Sequence, residues 1–177
     1  CAVLTADCLP ILVTDREGSQ VAAIHAGWRG LCGGVVANTI NALQKNSPTA
    51  QPELIAWLGP CIRQSHYEVG GDMRKTVLAA ELYANNPMRA ALAFEAVEEE
   101  KNSPNKYRAD LASLAKIALN SAGVFEIYDS ELCTVEQDNQ FFSYRRDGRT
   151  GRIASFIFIA ASDHANTAST VSYTHLR

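Results

Sequence analysis

The sequence lacks any long hydrophobic run and any block of basic residues. No apolar stretch approaches the roughly 20 residues of a membrane-spanning helix, and no charged region followed by an apolar segment resembles a signal peptide. Lysine and arginine number 16 against 19 aspartates and glutamates, so the formal net charge is −3. These absences argue against membrane and nucleic-acid partners. We expect a cytoplasmic protein that acts on a small molecule.

Cysteine and histidine are few, and neither is arranged in a pattern that defines a site by itself. The five cysteines are odd in number and form no Cys-x-x-Cys pair. This argues against a secreted disulfide framework and for thiols that are used singly, in the core or in chemistry.

Two apolar segments at the start of the chain predict a hairpin of buried strands. The first comprises residues 2–4 and 9–13, the second is 21–24, and turn-forming residues separate them. Cys8 interrupts the first segment, and His25 follows the second. Strand pairing is therefore expected to make a thiol and an imidazole neighbours.

A thiol beside an imidazole supports two different chemistries. In a dyad, His25 would take the proton of Cys8 and create a nucleophile, which suits a Cys-His hydrolase. As metal ligands, sulfur and nitrogen suit zinc or copper, and a catalytic site needs three protein ligands and one open position. The pair alone leaves both interpretations open.

Two further segments carry groups suited to binding an anion and a planar base. Trp28 and Arg29 follow His25 in a glycine-containing turn and supply a stacking surface and a cation. Near the end of the chain, an aromatic stretch runs into four arginines within residues 145–152, which suits phosphate recognition. The predicted site residues are Cys8, His25 and Arg29 as catalytic groups, and Trp28, Ser143, Tyr144 and Arg146 as substrate-binding groups.

The order of apolar patterns predicts a mixed α/β (α+β) fold. Helical spacing covers residues 35–43 and 107–122, while residues 54–58, 141–144 and 153–161 are typical of strands. The elements do not alternate as βαβ units, and no glycine-rich dinucleotide motif follows a strand. We expect one domain over residues 1–161 and a non-native or flexible tail over 162–177.

Five strings resemble one family. They are T-A-D-C-L-P, H-A-G-W-R-G, A-W-L-G-P-C-I, H-Y-E-V-G and F-F-S-Y-R-R-D-G-R-T-G-R. In this order they are similar to the YfiH-type family, described both as multicopper polyphenol oxidases (laccases) and as purine nucleoside phosphorylases. The resemblance covers about residues 1–159 and implies a β-sandwich-like core of mixed sheets flanked by helices.

The resemblance implies phosphorolysis of purine nucleosides to base and ribose 1-phosphate, with adenosine deaminase activity in the same pocket. It also implies a metal, zinc or alternatively copper, on Cys8 and His25. The family's third ligand is a histidine in an upstream Q-V-H-G-like segment that this sequence does not contain, so we expect an N-terminally incomplete domain. His66 is the first candidate to replace it, and His164 or His175, from this chain or from a homo-oligomeric partner, are others.

Three other functions stay open at this point. The family's other description implies laccase-type oxidation of phenols by copper and oxygen. The chain's four histidines are too few for the several copper centres of a multicopper relay, which leaves a single copper on Cys8 and His25. A Cys-His hydrolase and a non-enzymatic purine- or metal-binding module are the remaining alternatives.

Overall fold

The computed structural model describes residues 1–97, residues 105–160 and the backbone of Tyr173–His175. The predicted tail over 162–177 lies outside the described residues except for that short strand. Part of the charged segment before residue 105 also lies outside them.

The described elements are ten strands and seven α-helices. The strands are β1 (Ala2–Thr5), β2 (Leu9–Asp15), β3 (Val21–Ala26), β4 (Leu54–Leu58), β5 (Glu68–Gly70), β6 (Phe94–Ala96), β7 (Lys106–Ala109), β8 (Glu126–Asp129), β9 (Ile153–Phe156) and β10 (Tyr173–His175). The helices are α1 (Trp28–Cys32), α2 (Val35–Asn46), α3 (Gly71–Ala79), α4 (Glu81–Ala84), α5 (Pro87–Leu92), α6 (Leu111–Ser121) and α7 (Tyr144–Asp147).

A four-stranded sheet in the order β3-β2-β4-β8 forms the centre of the fold. The strand β2 pairs antiparallel with β3 and β4, whereas β4 pairs parallel with β8. Nearly every residue of β2 is buried, because its apolar side chains serve both faces of the sheet. The predicted hairpin is therefore confirmed for residues 9–13 and 21–24, but residues 2–4, expected in its first strand, lie in another sheet.

Two amphipathic helices supply much of the core around this sheet. On α2 the buried side chains are Val36, Ile40 and Leu43, at the spacing of one helical face. Each such side chain contributes about 1.5–3 kcal/mol when it leaves water. The helix α6 begins later than the sequence pattern predicts, because Asp110 caps it by accepting a hydrogen bond from the Ser113 amide at 3.0 Å.

The N-terminal strand belongs to a different sheet from the hairpin. Its residues pair antiparallel with β9, Ala2 opposite Phe156 and Thr5 opposite Ile153, and β10 pairs with the other edge of β9. The chain therefore changes sheets between Thr5 and Leu9, and Cys8 lies at that change. A third sheet, in the order β5-β7-β6, lies beside the helices α3 to α5.

One predicted strand is wrong. Residues 141–144 do not form a strand, because Ser143 caps the short helix α7 by accepting a hydrogen bond from the Arg146 amide. The fold class is confirmed as mixed α+β, with several sheets flanked by helices.

Candidate active-site cavity

A cavity of about 310 Å³ opens where the sheet of β1 and β9 meets the end of the central sheet. It is built from the link between β1 and β2, from β3, from the loop after β4, and from the segment around α7. Its lining consists of Leu4, Ala6, Asp7, Cys8, His25, Ile62, Tyr67, Tyr144, Arg145 and Arg152.

Cys8 and His25 line this cavity from one face of the hairpin. His25 pairs with Pro10, so by strand alternation Cys8 stands diagonally across from it on the same side. The half-buried Cys8 thiol lies against Gly27, where an added Cβ would come within 2.9 Å of its sulfur. His25 is exposed to solvent, so its imidazole is accessible to a ligand.

Asp7 holds the link between the two sheets in an unusual backbone conformation. Its φ is +88°, a left-handed value that costs free energy for a residue other than glycine. The buried carboxylate accepts hydrogen bonds from the Thr134 hydroxyl and the Arg145 amide, both at 2.7 Å. These bonds stabilise the conformation and join Cys8 to two distant loops.

The surroundings of Cys8 keep its thiol protonated at neutral pH. Burial raises the pKa of Cys8, the Asp7 carboxylate raises it further, and Arg152 acts in the opposite direction. A thiolate at this position therefore requires an additional positive charge, such as a metal ion.

A tyrosine and an arginine form the opposite wall. The Arg145 guanidinium lies over the Tyr67 ring, 5.3 Å from its centroid, and donates a 2.9 Å hydrogen bond to the Glu68 carbonyl. Burial is the main cause that raises the pKa of Tyr67 to about 12, and the Cys8 sulfur adds to this shift once it is ionised at alkaline pH. Its hydroxyl consequently stays protonated throughout the neutral pH range and can donate a hydrogen bond.

The predicted residues Trp28 and Arg29 lie at the start of α1, outside the cavity lining. The Arg29 guanidinium stacks on the Trp28 ring at 4.4 Å from its centroid. Arg29 is close enough to lower the pKa of Tyr67 through its charge, which places it near the cavity.

The predicted substrate-binding residues around α7 divide between two sides of that helix. Tyr144 lines the cavity and is 63% exposed. Ser143 is fully buried and serves as the helix cap. The Arg146 guanidinium donates to the carbonyls of Thr134, Val135 and Phe141 and pairs with Asp147. Arg146 therefore stabilises the loop of residues 134–141, whereas Arg145 lines the cavity.

His66 lies away from Cys8 and His25. It ends a single 3₁₀ turn, Gln64–His66, and its Nδ1 is 3.5 Å from the Cys133 sulfur. The described part of the chain thus brings Cys8 and His25 to one cavity and places His66 in a different group.

The sequence patterns did not single out Asp7, Tyr67, Arg145 or Arg152 as individual site residues, although the arginine-rich stretch was linked to phosphate recognition. Both arginines belong to the arginine-rich stretch, and Asp7 and Tyr67 adjoin Cys8 and His66, so their positions were visible in the sequence. The missing information was the direction of each side chain, which depends on α7 and on the left-handed turn at Asp7.

Sulfur and nitrogen are donors that zinc and copper both accept, so the chemistry of Cys8 and His25 fits the implied metal. They supply two of the three ligands that a catalytic site needs. Within residues 1–97 and 105–160, no third histidine, cysteine or carboxylate completes a close group with them.

The fold and this cavity place the chain in a known class. The chain belongs to the multi-copper polyphenol oxidoreductase laccase family, whose sequence model matches residues 1–160. The resemblance drawn from the five strings is therefore confirmed.

Particular relatives carry a different activity in their names. The purine nucleoside phosphorylase YfiH of Escherichia coli K12 is 44% identical over 160 residues, and the purine nucleoside phosphorylase of Haemophilus influenzae is 44% identical over 162 residues. The matches cover 90% and 89% of this chain, respectively, but the chain spans only 59% of the length of each relative.

Solved structures show the same architecture. A Neisseria meningitidis protein, 46% identical, matches with a TM-score of 0.74 over 87% of this chain and 57% of its own. YfiH of Bacillus licheniformis, 29% identical, matches with a TM-score of 0.73 over 86% and 55%. Within the part of the chain that the structure describes, every helix is too short or too polar to cross a bilayer.

Proposed function

We propose that the cavity is the active site of a purine nucleoside phosphorylase. The observation that carries this proposal is the joint presence of Cys8, His25, Arg145 and Arg152 in the lining of one cavity. Two arginines suit a phosphate dianion, and aromatic rings suit a purine. The names of the Escherichia coli and Haemophilus influenzae relatives support the same activity.

In the proposed reaction, the residues of each cavity wall have a different role. One oxygen of inorganic phosphate attacks the anomeric carbon of the nucleoside, the glycosidic bond breaks, and its electron pair leaves with the purine, which takes up a proton. Arg145 and Arg152 hold the phosphate and offset its charge. Tyr144 stacks on the base, and the protonated Tyr67 hydroxyl donates a hydrogen bond to it.

Cys8 and His25 would hold the metal, with a third donor from outside the described residues or from a second copy of the chain. When bound, zinc supplies an activated water, which is the requirement for the adenosine deaminase activity that we also propose. Copper is the alternative ion. Asp7 positions Cys8 in the cavity lining through its bonds to Thr134 and Arg145.

The elevated pKa of Cys8 weighs against a metal-free Cys-His hydrolase, because such an enzyme needs a thiolate at neutral pH. Polyphenol oxidation is the second candidate, and the description of the family supports it. The chain has four histidines, and His25 is the one that lines the cavity among the histidine side chains that the structure describes. The described cavity residues would therefore hold a single copper.

The deciding experiment measures hypoxanthine released from inosine by the purified chain, with and without inorganic phosphate, after zinc loading and after copper removal. Phosphate-dependent release that survives copper removal supports the proposal, and ribose 1-phosphate must appear in equal amount. Release that requires copper and oxygen, or oxidation of a phenol in place of base release, would favour the oxidase. Absence of all activity would leave a binding module.

A further inference from the structure

A second group of metal-binding side chains lies outside the cavity. The ligand atoms of His66, Cys133 and Glu136 all lie within 4.8 Å of one another. It is the one such group of three found among residues 1–97 and 105–160. None of the three residues lines the cavity, and none has a part in the proposed phosphorolysis.

The fold brings these residues together through backbone pairing. Cys61 and Cys133 form an isolated parallel bridge, in which the Cys61 amide donates to Leu132 and the Thr134 amide donates to Cys61. This bridge sets the 3₁₀ turn that ends at His66 beside the loop that begins at Cys133. The group is therefore fixed by main-chain hydrogen bonds.

A single helical turn then brings in Glu136. The Gln137 amide donates to the Cys133 carbonyl at 3.1 Å, and in such a turn residues three apart point to the same side. The Cys133 sulfur and the Glu136 carboxylate therefore face His66 together.

The dimensions and chemistry of the group suit zinc. Bonds of about 2.3 Å to sulfur and about 2.0 Å to nitrogen at a tetrahedral angle separate those two atoms by about 3.5 Å. The distance from the Cys133 sulfur to His66 Nδ1 is 3.5 Å. One sulfur, one imidazole nitrogen and one carboxylate are three ligands of the types that zinc accepts.

The burial of the group also fits an ion that enters from solvent. Cys133 is 3% exposed and His66 is half-buried, whereas Glu136 is exposed. An ion can arrive on the Glu136 side, bind the two inner ligands, and keep a water molecule at the fourth position.

We propose that His66, Cys133 and Glu136 form a second zinc site, separate from Cys8 and His25 and structural in role. On binding, the Cys133 thiol loses its proton to solvent, and the Ser65 hydroxyl gives up its 2.9 Å hydrogen bond to His66 Nδ1. The ion joins the 3₁₀ turn to the loop whose Thr134 hydroxyl holds Asp7. The ion therefore stabilises the loop that holds Asp7, but it does not line the cavity.

The test uses Co²⁺ and Zn²⁺ as probes on the whole chain, in a Cys1→Ser and Cys8→Ser background. That background removes the exposed Cys1 thiol and the cavity thiol. We expect one equivalent of Co²⁺ to bind with a thiolate-to-cobalt charge-transfer absorption, and Zn²⁺ to displace it. The absorption is expected to vanish in Cys133→Ser and to persist in the matched control Cys32→Ser.

Glu136→Gln keeps the test valid if Cys133→Ser fails to fold, because Glu136 is exposed. We expect Glu136→Gln and His66→Gln to weaken Zn²⁺ binding by about tenfold or more. A background protein with no thiolate-to-cobalt absorption would overturn the proposal and leave an S–H···N hydrogen bond in its place. An absorption that both substitutions leave unchanged would overturn it as well. Because the background lacks Cys8, neither result depends on phosphorolysis.

Discussion

The part of the chain that the structure describes contains two pairings of a cysteine with a histidine, and the two are built in opposite ways. Cys8 and His25 come from one hairpin, are close in sequence and line an open cavity. His66 and Cys133 lie 67 residues apart, belong to two loops and approach to 3.5 Å. The first pair is accessible to a substrate, whereas the second has a buried sulfur beside a bridge of backbone hydrogen bonds.

The difference shows that the same two side-chain types serve different purposes according to their surroundings. A site for chemistry needs space for the substrate and an open coordination position. A site for stability needs ligands contributed by segments distant in sequence, because joining such segments restricts the chain most. The following predictions test that division, from the largest expected effect to the smallest.

The sharpest contrast is between the two cysteines. Cys8→Ala removes the proposed metal ligand in the cavity, and we expect adenosine deamination to fall by about 10³-fold, or about 4 kcal/mol of transition-state stabilisation. Cys133→Ser is expected to retain activity within about threefold and to lose thermal stability when zinc is present. Inosine formation from adenosine and thermal melting of both variants measure the two effects. Equal losses of activity in the two variants would abolish the distinction.

Arg146→Lys tests the loop that follows Cys133, whose backbone carbonyls accept hydrogen bonds from Arg146. A lysine cannot replace the three carbonyl contacts of the Arg146 guanidinium, so we expect a loss of about 2–3 kcal/mol in the free energy of unfolding. Urea denaturation measures this loss, with the exposed Arg149→Lys as control. If Arg146→Lys leaves stability intact but raises the KM for phosphate, Arg146 contacts substrate as the sequence predicts.

The next prediction concerns Asp129, whose contribution to the free energy of unfolding depends on pH. Burial alone would raise the pKa of this carboxyl, but hydrogen bonds from Arg63 and Lys116 lower it to about 2. A carboxyl with a lowered pKa in the folded state stabilises the protein above its unfolded value of 3.8, and the stabilisation disappears as the pH falls through the folded value. We expect the wild type to lose about 2 kcal/mol more than Asp129→Asn between about pH 6 and pH 2.

Denaturant melts of both proteins across that range provide the measurement. Parallel curves of unfolding free energy against pH for the wild type and Asp129→Asn would show that the Asp129 carboxylate does not stabilise the folded protein.

Gly27→Ala tests the hairpin that carries Cys8 and His25, and its expected effect is the smallest of the four. The new methyl group would come within 2.9 Å of the Cys8 sulfur and must displace it, while the backbone angles of Gly27 are ones that alanine adopts freely. We expect activity to fall by about tenfold with little change in melting temperature. Gly70→Ala is the matched control, because Gly70 has a similar backbone conformation and open space at its Cβ position. A Gly27→Ala enzyme as active as Gly70→Ala would show that the Cys8 sulfur need not be held in place.

Local patterns were sufficient to predict the central elements. The apolar run of β4 predicted its bounds at residues 54 and 58, and the apolar segments around Asp15 predicted the hairpin. Strand pairing alone then places Cys8 and His25 on one side of the sheet, since side chains alternate with a period of two. These features depend on neighbours within about 20 residues.

Long-range packing decided the rest of the site. Arg145 and Arg146 are adjacent and chemically identical, yet the turn of α7 directs Arg145 to the cavity and Arg146 to backbone carbonyls. The left-handed turn at Asp7 depends on Thr134, which is 127 residues away. No periodicity in the sequence encodes those contacts.

The sequence by itself determined the family, the mixed fold class and the hairpin that carries Cys8 and His25, because short-range periodicity and contiguous strings record them. Only the tertiary structure decided which arginines face the cavity and that His66 lies with Cys133 and Glu136. The physical reason is that side-chain direction follows from backbone hydrogen bonds between distant segments, such as the bridge between Cys61 and Cys133.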